Sequence, residues 1–309
     1  MYQPDVYVSL TTIPTRLGTL KDNLIALSKQ DYANFKGIFL TVPQNNIRGL
    51  KWEHTEHPAW LSEIPNLHVL QPIHDRGPIM KYLGSVIEDK LPSNAWLFVC
   101  DDDIEYKPNA ISTYIADLNE STSEKYEDTI VNFRDHKRTV YWLYGIPNAD
   151  FIPGFEGVLV SHKFAKSLLD ALPENLPDCC VRIDDDVVST FAKDLEYRKV
   201  TASKRVIEKF DEVSITPLNA TNRDLDRHEC HTRLNPTYND NIMKMLLIMS
   251  GFLIGTLLTM VFLVGGSFTP VTAIPIALLI ALSCAITCAV VIKKNSNTVL
   301  SNKLLVWAK

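Results

Sequence analysis

Short apolar runs of strand type alternate with helical patterns along the first 240 residues of the chain. Leucines between the first two runs recur at helical spacing, at positions 17, 20, 24 and 27, and residues 77–91 predict a second helix. Four runs rich in β-branched and aromatic residues predict strands, and these cover residues 5–12, 37–43, 67–72 and 95–103. Strands that alternate with helices favour a mainly parallel sheet. The sequence therefore predicts an α/β fold whose sheet is flanked by helices.

The pattern is less regular after these four strands. Residues 139–169 hold aromatic residues and glycines followed by a helical pattern, which is consistent with the wall of a pocket for a polar ring. Residues 184–200 predict a helix with Val188, Phe191 and Leu195 on one face. Residues 216–240 predict an irregular closing segment and a linker.

The C-terminal part of the chain has a different composition, because no residue between Met245 and Ile292 is charged. Two apolar segments lie there, 245–265 and 270–292, and at about 1.5 Å rise per residue each can cross a hydrocarbon core about 30 Å thick. Two buried helices of a soluble core are the alternative, but such helices normally keep a polar face. The sequence thus predicts an N-terminal domain over 1–240, a transmembrane hairpin over 241–294 and a tail over 295–309.

Basic residues flank this predicted hairpin at its outer ends only. Lys244 precedes the first span, Lys293 and Lys294 follow the second, and the connection between the spans has no Lys or Arg. The positive-inside rule therefore places both outer ends in the cytosol. The first ten residues show no signal peptide. We expect an integral membrane protein whose N-terminal domain and both termini are cytosolic.

The cysteines indicate the redox compartment of the protein, and the net charge indicates which classes of partner it can bind. The 6 cysteines have no spacing typical of a disulfide framework, and Cys284 and Cys288 lie in the second predicted span, which fits a reducing compartment. The formal net charge is −5, and the N-terminal domain has no basic cluster. These features argue against nucleic acid as a partner.

Three consecutive aspartates, Asp101, Asp102 and Asp103, end the fourth predicted strand. In an extended chain residues i and i+2 point the same way, so Asp101 and Asp103 can share a target while Asp102 faces elsewhere. Two converging carboxylates suit Mg²⁺ or Mn²⁺, which prefer oxygen ligands. A solvated acidic turn is the alternative, but the buried strand before the triplet favours a metal site.

A second triplet, Asp184, Asp185 and Asp186, begins the predicted helix over 184–200. One aspartate at a helix N-terminus is explained by capping of the backbone amides, and the helix dipole tolerates the others. A carboxylate that is left over can act as a general base toward a hydroxyl within hydrogen-bond reach. All three aspartates remain candidates for that role.

Polar clusters follow the predicted strands at the edge where ligands bind in parallel sheets. Lys81 in "GPIMKYLG" and Arg16 in "TTIPTR" are candidates to contact a phosphate, with solvated surface as the alternative. His228 and His231 are candidates to complete a metal site, because imidazole is a frequent ligand. Surface histidines in a loop are the alternative.

Five segments carry a likeness to a known family: "VYVSLTTIPTRL", "DRGPIMKYLG", "LFVCDDDIEY", "GFEGVLV" and "IDDDVVSTFAKDLEYRKV". Together they resemble nucleotide-sugar glycosyltransferases of the Rossmann-like GT-A fold, similar to glycosyltransferase family 2. The likeness spans roughly residues 5–200. It implies that Asp101 and Asp103 match the D-x-D motif, which holds Mn²⁺ or Mg²⁺ against the donor diphosphate. Asp102 would approach the ribose of the donor. An acidic pair that opens a later helix supplies the base in inverting members, and residues 184–186 occupy that place.

The resemblance also implicates residues outside the two triplets. The "TTIPTR" loop looks like the segment that cradles the nucleotide base, which makes Thr11, Thr12 and Arg16 donor-site candidates. The "DRGPIMK" loop implicates Asp75 and Lys81 in donor contacts, and "GFEG" is similar to an acceptor-side or sugar-side loop. A late histidine ligates the metal in many members, and His228 is our candidate. Three aspartates in place of the family's acidic pair leave the register of the base open.

The function implied by this resemblance is metal-dependent transfer of a sugar from a nucleotide sugar to a hydroxyl of a glycan or lipid-linked acceptor. An aspartate base favours inversion, while a retaining reaction uses the same fold without that base. One alternative is a metal-dependent phosphotransferase or hydrolase acting on nucleotides, although the sequence has no GxxxxGK loop. A non-enzymatic membrane scaffold with a degenerate transferase domain is the other alternative.

Overall fold

The computed structural model of the 309-residue chain describes residues 1–18, 20–45, 47, 58–121, 125–133, 151–174, 176–210, 229–230, 233–234 and 251. The chain divides into two compact units, Met1–His231 and Thr232–Lys309. Only three described residues, Arg233, Leu234 and Gly251, belong to the second unit. The architecture below is that of the first unit.

Nine strands are described, in two sheets. They are β1 Val6–Thr11, β2 Phe35–Thr41, β3 Leu67–Leu70, β4 Trp96–Val99, β5 Ile104–Tyr106, β6 Thr129–Asn132, β7 Val158–Ser161, β8 Arg198–Thr201 and β9 Ile207–Phe210. The larger sheet has seven strands in the order β3-β2-β1-β4-β7-β6-β8, and β5 pairs with β9 in the smaller one. In the larger sheet β3, β2, β1 and β4 are mutually parallel, as predicted. The α/β fold with a mostly parallel sheet is therefore confirmed.

Five α-helices are named among the described residues beside the larger sheet: α1 Leu20–Leu27, α2 Met80–Ile87, α3 Ala110–Glu120, α4 His162–Ala171 and α5 Asp184–Asp194. The helical leucine pattern is confirmed in α1, where Leu20, Leu24 and Leu27 are all buried in the hydrophobic core. The predicted helix over 77–91 forms as a 3₁₀ turn, Gly77–Ile79, followed by α2. Apolar residues at helical spacing give each of these helices one apolar face, and that face packs against the sheet.

Strand β7 runs against its neighbours, and this reversal shapes one edge of the sheet. It pairs antiparallel with both β4 and β6, and Val99 at the end of β4 lies opposite Val158 at the start of β7. The segment before β7 therefore reaches the same edge as the residues after β4. As a result, the 3₁₀ turn Gly154–Glu156 is placed beside the first aspartate triplet.

Both predicted membrane spans lie outside the described residues, apart from Gly251. Within the part of the chain that the structure describes, no helix has both the length and the apolar character needed to cross a bilayer. Residues 139–150 of the predicted pocket-wall segment over 139–169 also lie outside the described residues, whereas Phe151 and Ile152 of that segment are buried.

A disulfide joins Cys180 to Cys230, although the cysteine spacing showed no disulfide framework. The two residues are 50 positions apart, and no local spacing rule signals a bond over that separation. Both side chains are buried, as are the thiols of Cys100 and Cys179.

Candidate functional site

The carboxyl edge of the parallel strands collects the polar loops that the sequence singled out. β1 pairs with β4, so Thr12 after β1 and Asp101 after β4 end neighbouring strands. The loop after β3 reaches the start of α5, because a side chain at Gly77, which has a φ of +81°, would collide with the carbonyl oxygen of Val181. Glycine is therefore required there both for the backbone conformation and for close approach.

The first triplet forms a turn between β4 and β5, and not the extended segment that we predicted. Asp101 lies alone on one side of the turn, where its Oδ1 is 2.5 Å from Lys81 Nζ. Asp102 and Asp103 both face Arg16, whose Nη1 lies 2.6 Å from Asp102 Oδ1 and 3.1 Å from Asp103 Oδ2. Asp101 and Asp103 therefore make ion pairs with different residues, Lys81 and Arg16, because the turn breaks the alternation of an extended strand.

Asp102 is the member of the first triplet that the protein holds most tightly. Its side chain is 7% exposed, Thr12 Oγ1 donates to its Oδ2 at 2.6 Å, and Asn23 donates to its backbone carbonyl at 3.0 Å. Burial raises the pKa of Asp102, although Arg16 and Thr12 oppose that rise. Burial alone would lower the pKa of Arg16, but the adjacent carboxylates outweigh it and raise the pKa. Asp102 therefore anchors the turn.

The two more accessible carboxylates of the first triplet are Asp101 and Asp103, whose side chains are 30% and 31% exposed. Burial and the carboxylates of Asp102 and Asp101 raise the pKa of Asp103 to about 6. An acid whose neighbours are also acids gains most from a bound cation, because the cation relieves their repulsion. A cation from solvent can therefore reach this pair.

Lys81 brings the two triplets together. Its Nζ lies 2.5 Å from Asp101 Oδ1 and 2.7 Å from Asp184 Oδ2, and its side chain is only 3% exposed. Burial alone would lower the pKa of Lys81, but the carboxylates of Asp101 and Asp184 outweigh it and raise the pKa well above its ordinary value. The sequence placed Lys81 near a phosphate; the structure places its ammonium between two carboxylates.

The second triplet forms the first turn of α5 without capping it. Ile183 occupies the N-cap position, where no side-chain capping bond forms, so the prediction that one aspartate is the cap is wrong. Asp184 is instead drawn to Lys81, and Asp185 Oδ1 accepts a hydrogen bond of 2.8 Å from the backbone N–H of Gly154. Asp186 is fully buried. Tertiary partners have replaced the local cap.

Asp185 has the properties of an acid–base group. Burial and the neighbouring carboxylate of Asp184 raise its pKa to about 7. A side chain at Gly154 would lie 2.7 Å from Lys81 Nζ and 3.0 Å from Asp185 Oδ1, so the absence of a side chain lets this backbone lie close to both groups. The "GFEG" segment thus supplies a backbone donor. No sequence signal identified that role, since it depends on the reversed strand β7.

Two other predicted donor-site residues use their side chains within the scaffold. Thr11 Oγ1 donates to the carbonyl oxygen of Thr41 at 2.8 Å, and Asp75 accepts from the backbone N–H groups of Gly77 and Ile47 at 2.7 and 3.1 Å. Asp75 therefore fixes the loop after β3. None of these three bonds reaches the aspartate triplets.

The predicted metal ligands are only in part described, because His228 and His231 lie outside the described residues. Among the residues that the structure describes, no group of three or more His, Cys, Asp or Glu side chains is arranged to hold a metal ion. Asp101 and Asp103 fit Mg²⁺ or Mn²⁺ in their donor chemistry, since both are partly exposed carboxylates.

We expect the Lys81→Met variant to be destabilised by about 3–5 kcal/mol, because Asp101 and Asp184 lose the ammonium that compensates their charges. Chemical denaturation of the full chain measures the effect. The matched control is Lys21→Met, which breaks the exposed pair with Glu63 and should cost less than about 1 kcal/mol. Equal stability of the two variants would contradict the bridging role of Lys81.

No protein-family model matches the chain, and no curated protein sequence matches it either.

Proposed function

We propose that the chain is a metal-dependent glycosyltransferase that moves a sugar from a nucleotide-sugar donor to a hydroxyl acceptor. The observation that carries the proposal is the convergence of the two aspartate triplets through Lys81 at the carboxyl edge of the parallel sheet. One triplet offers partly exposed carboxylates, and the other contains a buried carboxyl with a pKa near neutrality. Separate acidic groups with different environments suit a reaction that needs both cation binding and proton transfer.

Asp185 is the aspartate that we assign as general base. Its pKa of about 7 lies where a base is most effective at neutral pH. Asp184 is engaged by Lys81, and Asp186 is fully buried. The hydrogen bond from Gly154 holds Asp185 in one orientation. In the proposed step Asp185 takes the proton of the acceptor hydroxyl, the acceptor oxygen bonds to the anomeric carbon, and the bond from that carbon to the diphosphate breaks.

Asp101 and Asp103 are assigned to hold Mg²⁺ or Mn²⁺, with His228 as a further candidate from the sequence. When bound there, such an ion neutralises charge on the departing diphosphate. The chain's own contribution is to orient the two carboxylates, since Lys81 pairs with Asp101 while Arg16 pairs with Asp103. Thr12 and Arg16 line the same loop and are assigned to the donor nucleotide.

The charge-free segments over 245–265 and 270–292 support anchoring of the enzyme to a membrane. With both outer ends in the cytosol, the catalytic domain would meet cytosolic nucleotide sugars. The hairpin would hold it close to a lipid-linked or membrane-proximal glycan acceptor. Nucleic acid is not among the proposed partners.

A panel of nucleotide sugars tests the proposal on the full chain in detergent, with Mn²⁺ and with chelator. We expect chelator-sensitive release of nucleoside diphosphate and free sugar from one donor. Release of inorganic phosphate would instead indicate a phosphotransferase or hydrolase. Absence of donor binding would indicate a scaffold, and either result would overturn the assignment.

A further inference from the structure

Three buried cysteines lie beside the second triplet and have no part in the proposed chemistry. Cys180 is bonded to Cys230, and the Sγ of Cys179 lies 4.0 Å from the Sγ of Cys180. The three side chains are 8%, 1% and 0% exposed for Cys179, Cys180 and Cys230. The bond therefore belongs to the interior of the first unit.

The position of Cys180 couples the disulfide to the start of α5. Its backbone N–H donates to the carbonyl oxygen of Pro177 at 2.7 Å, and its own carbonyl oxygen accepts from the N–H of Ile183 at 3.1 Å. These two bonds form the turn that leads directly into Asp184. The next residue, Val181, packs against Gly77 of the loop after β3. A covalent tie at Cys180 thus stabilises the turn between that loop and the second triplet.

We propose that the Cys180–Cys230 bond is a redox latch, which keeps the N-terminal turn of α5 in its active arrangement and is opened by a small dithiol. The inference rests on the proposed function for its activity readout, and on the proposed cytosolic placement for its reversibility. Cytosolic thiols are normally kept reduced, so a disulfide in that compartment is transient and not a permanent staple.

The Cys180–Cys230 bond opens by thiol–disulfide exchange. Because both sulfurs are buried, the exchange proceeds when the turn before α5 opens locally. A thiolate of the dithiol then attacks one sulfur of the Cys180–Cys230 bond, and a mixed disulfide forms while the other cysteine leaves as a thiolate. The second thiol of the reductant then displaces the protein sulfur and closes a cyclic disulfide. Two electrons pass from the dithiol to the protein, and both cysteines end as thiols.

The latch should be visible in three measurements on the full chain. Peptide mapping without reductant should find Cys230 linked to Cys180, and dithiothreitol should remove the link. Reduction should lower the melting temperature by about 5–10 °C, because the bond closes a loop of about 50 residues. Donor turnover should fall at least about fivefold, since the turn before Asp184 loses its tie.

Two variants complete the test. Cys230→Ser should resemble the reduced wild type and should not respond to dithiothreitol. Cys179→Ser is the matched control: it removes the neighbouring thiol but leaves the latch, so its response to dithiothreitol should equal that of the wild type. A melting temperature unchanged by reduction would overturn the latch even if the chain turns over a donor. A chain that turns over no donor but melts lower when reduced would overturn the proposed function and the latch's role in activity, and would leave the bond as a structural tie.

Discussion

The Asp103→Ala variant is expected to lose metal-dependent sugar transfer by roughly 1,000-fold, since a bound cation contributes several kcal/mol to stabilising charge in such reactions. Asp103 is suited to this test because its side chain is 31% exposed. Arg16 keeps its pair with Asp102 at 2.6 Å when Asp103 is removed. The loss should therefore come from the cation site and not from misfolding. Initial rates over a Mn²⁺ titration measure it.

The control for this prediction is Glu105→Ala, which removes an exposed carboxylate from β5 two residues further along the chain. This variant should keep wild-type rates and the same dependence on Mn²⁺. Thermal melting of both variants verifies that each remains folded. Full activity of Asp103→Ala at every Mn²⁺ concentration would contradict the assignment of Asp103 to the cation.

The four parallel strands and the helices between them were predictable because the sequence patterns that specify them are local. β1 to β4 are apolar runs bounded by polar turns, and α1 has its buried leucines at helical spacing. Such patterns depend only on neighbours along the chain. Their physical cause is that each element must present one apolar surface to a common core.

The rest of the fold depends on contacts that no local pattern specifies. β7 is a run of four buried residues, and its sequence does not say that it runs against β4. The pairing of β5 with β9 joins segments about 100 residues apart. The disulfide between Cys180 and Cys230 is likewise a long-range contact.

The candidate site shows the same division between local and long-range information. Strand ends placed the first triplet at the carboxyl edge, and the helical pattern placed the second triplet at the start of α5, as the structure shows. Side-chain directions were not predictable, because Lys81 and Gly154 come from other segments and override the local preferences for an extended strand and an N-cap. The sequence could place the loops but not the partners of their side chains.

The Asp185→Asn variant is expected to lower sugar transfer by roughly 100- to 10,000-fold, which is the range that general base catalysis contributes. Asparagine keeps an oxygen that can accept the hydrogen bond from Gly154, so the geometry is preserved while the proton acceptor is lost. In the wild type the rate should rise with pH through about 7 as Asp185 ionises. The residual rate of the variant should lack this rise. Rate profiles from pH 5 to pH 9 measure both.

The carboxyl group of Asp185 should also make the folded protein less stable as the pH rises. The pKa of Asp185 is about 7 in the folded chain against 3.8 for an ordinary aspartate, so between these values the folded state holds a proton that the unfolded chain has lost. The free energy of unfolding therefore falls from about pH 4 to about pH 7. Asp185→Asn removes this loss and should be more stable than the wild type at pH 8 by roughly 2–4 kcal/mol, with the gain absent at pH 4.

Denaturation at the two pH values measures the difference, and Asp194→Asn is the matched control because it changes an exposed aspartate of the same helix. That control should alter neither activity nor the pH dependence of stability. A buried charge retained at a cost in stability is typical of functional sites. Loss of activity combined with a gain of stability at pH 8 would thus identify Asp185 as a functional charge. Loss of activity together with a loss of stability at pH 8 would instead make Asp185 a packing residue of α5.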